Sequence, residues 1–284
     1  MNINQFERYV MLVVNLTTTS TRLELCGVTL WSLIHQSCLP DRIDLWISKE
    51  PFMSDQGIHE LPEWLDELNG INRIINVRYV ENTGPYRKIF PALQSTNDSD
   101  IHVYADDDVV YGHSWLKSLT DCFLLNEGKF VVASRVRIMR KNLFGHYQSY
   151  DRFNICLKPT VVKKDFVITG VGGCILKKSH IDPALLTNSD YLQIAPRTDD
   201  FWISKLLELS GTSVMICPDA FGSVQEIVHT NFSLNQTNTL MIKGRGFSRL
   251  LMKIRVKVLG YFGLSLSNND FARKRISNYF SNKK

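Results

Sequence analysis

No run of the chain is long and apolar enough to suggest a membrane span. The longest, such as Tyr9 to Val14, fall far short of the roughly 18 residues a span needs. A signal-peptide pattern is also missing, because Glu7 and Arg8 precede that short run and no small-residue cleavage site follows. The six cysteines, Cys26, Cys38, Cys122, Cys156, Cys174 and Cys217, are scattered without a CxxC pair. That argues against a structural zinc site and fits reduced thiols in a cytoplasmic chain. Sixteen glycines and nine prolines among 284 residues are too few for a collagen-like or low-complexity protein. What is present, 44% hydrophobic and 21% charged residues, suffices for a sizeable core in one large α/β domain or two small ones.

Acidic residues are nearly absent from the C-terminal end. Residues 243–284 hold eleven Lys and Arg against the single acid Asp270, a net +10. The preceding 242 residues hold 22 basic and 27 acidic residues, a net −5. A mildly acidic body with a strongly basic tail fits a tail that meets something anionic, or a solvated surface helix with a frayed end.

The first half alternates strand and helix signals. Apolar runs predict strands at Tyr9 to Leu16, Arg42 to Ser48, Arg73 to Val80 and Ile101 to Ala105. Between them, helices are expected at Arg22 to Ser37, with Leu23, Val28, Leu30, Trp31 and Ile34 in helical pattern, at Pro62 to Asn69 and at Tyr86 to Ser95. This alternation implies a mainly parallel sheet with helices on both faces, and ligands beyond the carboxyl ends of its strands. The second half is less regular. Strands are expected at Phe130 to Ile138 and Val214 to Pro218, helices at Trp115 to Asn126 and Phe201 to Ser210, and a glycine loop at Gly170 to Gly173. No repeat and no Pro/Gly/Ser linker divides the chain, which predicts one domain over 1–242 and a basic helical extension over 243–284.

Four stretches could carry chemistry. Asp106-Asp107-Asp108 follows a strand, and side-chain alternation sends Asp106 and Asp108 to one side. Two carboxylates there suit Mg2+ or Mn2+; the bland reading is a solvated acidic turn before the next helix. Thr198-Asp199-Asp200 opens a helix, where a carboxylate caps or, with the first cluster, acts as a general base. The helix start is expected to lower its pKa. Gly170 to Gly173 lets backbone approach a ligand or simply turns. Arg87 and Lys88, at a helix start where the dipole disfavours them, suit a diphosphate or are surface charge.

In this order the motifs resemble the GT-A glycosyltransferases, in particular the family 2 type of bacterial polysaccharide synthesis. Leu61-Pro62-Glu63-Trp64-Leu65, Gly84-Pro85-Tyr86-Arg87-Lys88, Ala105 to Val109 and Thr198 to Trp202 carry the likeness, over roughly Tyr9 to Asn238. The resemblance implies a GT-A-like αβα sandwich. It implies a metal-dependent, inverting enzyme that moves a sugar from a nucleotide-sugar donor to a glycan or lipid-linked acceptor in lipopolysaccharide, O-antigen or capsule synthesis. Asp106, Asp108 and His229 would hold Mn2+ or Mg2+. Asp106, Asp107, Thr17, Thr18, Arg22, Arg87 and Lys88 would face the donor, Gly172 and Gly173 the acceptor. Asp200 or its neighbour Asp199 would be the base. The protein would be cytoplasmic, with its tail able to meet the anionic inner face of the membrane.

Two rival functions remain. A sugar-1-phosphate nucleotidyltransferase would share the fold and metal, but its glycine-rich basic loop is replaced by Thr17-Thr18-Thr19-Ser20. A nucleic-acid-binding protein would use the tail, but the body is net acidic and offers no recognised module, so no nucleic-acid partner is expected.

Overall fold

The computed structural model describes residues 10–228 and 246–282. Four buried apolar runs form β1 (Leu12–Thr17), β2 (Arg42–Ile47), β3 (Ile75–Tyr79) and β4 (Ile101–Tyr104). Between them lie α1 (Leu23–Ile34), α2 (Trp64–Ile71) and α3 (Phe90–Ser95). These strands are all parallel, in the order β3-β2-β1-β4. The chain continues through β5 (Val109–Tyr111), α4 (Trp115–Leu125), β6 (Val131–Ala133), β7 (Val136–Ile138), β8 (Asn154–Ile155), β9 (Val161–Val162), β10 (Phe166–Ile168) and β11 (Cys174–Leu176). After α5 (Pro183–Leu186) and α6 (Tyr191–Ile194) come α7 (Asp199–Leu209), β12 (Val214–Ile216), a short helix at Pro218–Phe221 and β13 (Val224–Glu226). Two helices follow, Gly246–Tyr261 and Asn268–Asn282.

The eight-stranded sheet runs β3-β2-β1-β4-β11-β6-β12-β9. Its β11 is antiparallel to both β4 and β6, β12 is parallel to β6, and β9 closes the far edge antiparallel. Small sheets of β10-β7-β8 and β13-β5 stand beside it. Helices cover both faces, as strand alternation shows. Tyr104, Cys174 and Leu176 join the core with α3 and α7, whereas Val103, Ala105 and Ile175 join the core with α1, α2 and α4. The chain is therefore the mixed α/β architecture with a large, mainly parallel central sheet that the sequence predicts.

The Asn268–Asn282 helix belongs to the first of these cores. Its Ala272, Ile276 and Phe280 are buried, and the Phe280 and Tyr279 rings lie 5.1 and 5.7 Å from Trp202 on α7. Fully burying one large apolar side chain contributes about 1.5–3 kcal/mol, so these contacts hold the helix firmly. Among the described residues, no helix is long and apolar enough to cross a membrane.

Three expectations change in detail. The run Phe130 to Ile138 is two strands in two different sheets, parted at Ser134-Arg135, where the Ser134 hydroxyl donates to the Gly172 carbonyl at 2.5 Å. The helix expected over Tyr86 to Ser95 is a 3-10 turn at Gly84–Lys88 followed by α3, because Pro91 has no N–H to continue a helix through Ile89. On α1, Val28 and Trp31 are about half exposed, and Cys26, Leu30, Leu33 and Ile34 make the buried face instead.

Candidate functional site

A cleft of about 490 Å³ lies beyond the carboxyl ends of β1 and β4. These are neighbouring parallel strands, with Asn15 opposite Tyr104, so the loops that leave them emerge side by side. The volume lies in the range of small-molecule sites. Every described donor, metal and base residue expected from the sequence lines this one cleft: Thr17, Thr18, Arg22, Arg87, Lys88, Asp106, Asp107, Asp108, Asp199 and Asp200. His229 lies outside the described residues.

The acidic triplet divides its work. Asp107 turns inward at 5% exposure, accepts from the Thr18 hydroxyl at 2.6 Å and pairs with Arg22 at 2.5 Å. It therefore ties the loop after β1 to the loop after β4 while lining the cleft. Burial raises its pKa to about 6, against the pull of the Arg22 guanidinium. Asp106 and Asp108 keep about a quarter of their side chains exposed, and both are met by cations. Arg22 reaches Asp108 at 2.8 Å, and Lys88 reaches Asp106 at 2.8 Å.

Lys88 is no surface cation. Its side chain is 6% exposed, and its ammonium also meets Asp199 at 2.8 Å. Burial works against that charge, but Asp106 and Asp199 hold the pKa well above the ordinary value. Gly170 makes room for the bridge, since a Cβ there would collide with both Lys88 and Asp106. Arg87 is likewise interior, at 1% exposure. It donates to Asp55 and to the Thr18 carbonyl, each at 3.1 Å. Both cations lie where a ligand can meet them, but each first serves as an internal counter-ion.

Asp200 sits beside this pair, and the Gly170 N–H donates to it at 3.0 Å. The expectation of a lowered pKa at the helix start is reversed. Burial, and then the neighbouring Asp199 carboxylate, push Asp200 up to about 8, and Lys88 and the Gly170 N–H only partly offset this. Below about pH 8 this carboxyl holds its proton, so it can take one from a hydroxyl only in the ionised fraction, which grows as pH rises. The helix dipole loses here because it acts on a group removed from water and next to a like charge.

Gly172 and Gly173 do not line the cleft. The Gly172 carbonyl accepts from the Trp115 indole at 2.8 Å, and Gly173, at φ +82°, leaves no room for a Cβ beside the Trp115 ring. They pack α4 against the sheet, and the acceptor expectation for them is corrected. The sequence reading missed Arg135 and Arg137, which stand two apart at the start of the β7 hairpin and both line the cleft. Two arginines at alternate positions in an otherwise apolar run were the available signal, because they share one side of an extended chain.

Four arginines, Arg22, Arg87, Arg135 and Arg137, line this one cleft, which suits a ligand rich in anionic oxygen. Two carboxylates at the cleft wall fit a hard divalent ion that completes its shell with water and phosphate oxygens. Among the described residues no three metal-ligating side chains come together, and Asp106 and Asp108 each already meet a cation, Lys88 and Arg22.

No family model matches the sequence, and no curated protein matches it. Among solved structures, the chain is similar to 4-diphosphocytidyl-2C-methyl-D-erythritol synthase from Anaerococcus prevotii, with 13% identity over 65% of this chain and 76% of that one, at a TM-score of 0.38. It is also similar to S. aureus TarS 1–349, with 14% identity over 74% of this chain and 58% of that one, at a TM-score of 0.42. The chain thus spans little more than half of the TarS fragment. At these values neither likeness assigns an activity to this chain.

Proposed function

We propose that the cleft is the active site of a GT-A-type glycosyltransferase that moves a sugar, with inversion, from a nucleotide-sugar donor to an acceptor hydroxyl on a glycan or lipid-linked glycan. The gathering of Arg22, Arg87, Arg135 and Arg137 around one cleft beside two half-buried carboxylates carries the reading, since a nucleoside diphosphate offers the anionic oxygens that guanidinium groups bind. Arg22, Arg87, Arg135 and Arg137 bind and orient the diphosphate. Asp106 and Asp108 are the residues that would hold Mn2+ or Mg2+, which when bound offsets charge developing on the departing diphosphate. Asp200 takes the proton from the acceptor hydroxyl as that oxygen attacks the anomeric carbon. Lys88 holds Asp199 and Asp106 in place. A base opposite the leaving group gives single displacement, hence inversion. In this reading the catalytic body over 1–242 carries the chemistry, and the basic segment 243–284 joins it through the Asn268–Asn282 helix, which packs on α7.

A thermal-shift screen with UDP-, GDP-, CDP- and dTDP-sugars, with and without Mn2+, tests it. One donor should raise the melting temperature in a metal-dependent way, because stabilisation grows with ligand concentration over Kd. Asp108→Asn should lose that shift while keeping the fold. Equal shifts in Asp108→Asn, or no shift with any donor, would reject the assignment. Release of pyrophosphate from a nucleoside triphosphate and a sugar phosphate would identify a nucleotidyltransferase instead.

A further inference from the structure

The hairpin between β7 and β8 ends in a rigid turn with an apolar tip. The Asn142 N–H donates to the His146 carbonyl at 2.8 Å. The Asn142 side-chain oxygen accepts from the Phe144 and His146 N–H groups at 2.9 and 3.0 Å. Gly145 closes the turn at φ +79°, a conformation that favours glycine. This frame holds Leu143 and Phe144 outward, 92% and 69% exposed.

The end of the Gly246–Tyr261 helix is fastened to the same turn. Asn142 Nδ2 donates to the Tyr261 carbonyl at 3.1 Å, and the Ser149 N–H donates to the Gly260 carbonyl at 2.9 Å. A side chain at Gly260 would collide with Ser149, and one at Gly263 with the Tyr147 carbonyl. The Phe144 and Phe262 rings lie near-parallel, 6.4 Å apart. Ile254, Val258 and Phe262, at spacings of four, carry the apolar strip along the helix, each about half exposed. One continuous apolar ridge thus joins a turn tip to a helix face.

Exposed cations lie on the elements that carry the ridge: Lys253, Arg255 and Lys257 on this helix, Arg140 and Lys141 at the turn, and Lys274 on the next helix, which lines one pocket with Phe262 and Gly145. Lys141 has a distant acidic partner, Asp165, at 3.8 Å. The single acid of residues 246–282, Asp270, is buried and accepts from the Tyr150, Leu266 and Ser267 N–H groups. We propose that this face docks on an anionic lipid bilayer, with Leu143, Phe144 and Phe262 in the acyl boundary and these Lys and Arg side chains on headgroup phosphates. Exposed apolar side chains together with Lys and Arg match an interfacial helix in both hydrophobic and electrostatic terms. The excess of one sign disfavours a second copy of this chain, because two such faces would repel each other. The inference rests on this surface alone and stands apart from the sugar-transfer reading. If both hold, β7 leads from the docked tip directly to Arg135 and Arg137 in the cleft wall.

Flotation of the full chain with vesicles, in the absence of any donor, tests the assignment. The protein should bind phosphatidylcholine vesicles containing phosphatidylglycerol at low salt, bind pure phosphatidylcholine weakly, and dissociate as salt rises. Leu143→Ser with Phe144→Ser should weaken binding at least roughly tenfold, since two apolar side chains leave the boundary. The melting temperature should stay unchanged, because both side chains are already exposed. Lys253→Gln and Lys257→Gln should each cost roughly fivefold on anionic vesicles. Absent binding to anionic vesicles at low salt, or undiminished binding in the double tip variant, would overturn the proposal. Conversion of a dimer to a monomer by the tip variant in light scattering would give the face to a second copy of the chain instead.

Discussion

Lys88 in the cleft touches two carboxylates and is nearly out of water, whereas Lys253 and Lys257 on the Gly246–Tyr261 helix stand in solvent with no acid exposed on their own helix. The cleft gathers Asp55, Asp106, Asp107, Asp108 and Asp199 and sets a buried or half-buried cation against each. The hairpin–helix face gathers cations and leaves them to act together. Buried pairs fix positions to within a hydrogen-bond length but stabilise little in themselves. Exposed charges of one sign fix no geometry and sum into a field that salt screens. One chain therefore uses charge for placement in one region and for long-range attraction in another.

The sharpest way to break this contrast is at Asp200. On the transfer reading, Asp200→Asn should lower turnover by roughly 10²–10⁴-fold, the usual range for a general base, with donor affinity nearly unchanged. Initial rates at saturating donor measure it, and full activity would remove Asp200 from the chemistry. Asp199→Asn should act mainly through stability, because its carboxylate is committed to Lys88.

Stability comes next in size. Lys88→Met strands two carboxylates in the cleft wall and should cost about 3–5 kcal/mol in urea denaturation. Lys253→Met should stay within about 0.5 kcal/mol, as exposed substitutions do. Equal costs would mean that the two regions do not differ in the way described.

The smallest effect lies in pH. Asp200 keeps its proton in the folded chain up to about pH 8, while an unfolded aspartate titrates near 4. Between those values the folded state binds the extra proton, so the stability this group contributes falls as pH rises from about 4 to about 8. The melting temperature of Asp200→Asn should fall less than that of the parent between about pH 6 and pH 8.5. Lys253→Gln should leave the slope as it is.

Much of the cleft was legible because local signals coincide there. The runs that became β1 to β4 are bounded by loops, and an Asp triplet at the end of a strand is conspicuous without any tertiary knowledge. Burial was not legible. Arg87 and Lys88 look like surface charge in the sequence, but contacts distant in sequence make them interior, Asp55 and the Thr18 carbonyl for Arg87 and the close approach of Gly170 for Lys88. The direction of the Asp200 shift depends on a carboxylate next door and on exclusion of water, neither of which helix position encodes. Arg135 and Arg137 hid inside an apolar run that is really two strands, and the break at Ser134 is imposed by the Gly172 carbonyl from 38 residues away. Gly172 and Gly173 looked like a ligand loop because close approach to Trp115 and close approach to a sugar demand the same residue.

The Lys88 bridge also bears on how the chain reaches its folded state. Asp106 is 18 residues from Lys88 and Asp199 is 111 residues away, so one ammonium joins the end of β4 to the start of α7 across the whole irregular middle of the sequence. Closing a loop of that length precedes any reward from the contact, and topologies rich in such contacts fold slowly. The site needs both halves of the chain, because Lys88 and Asp106 come from the first and Asp199 from the second.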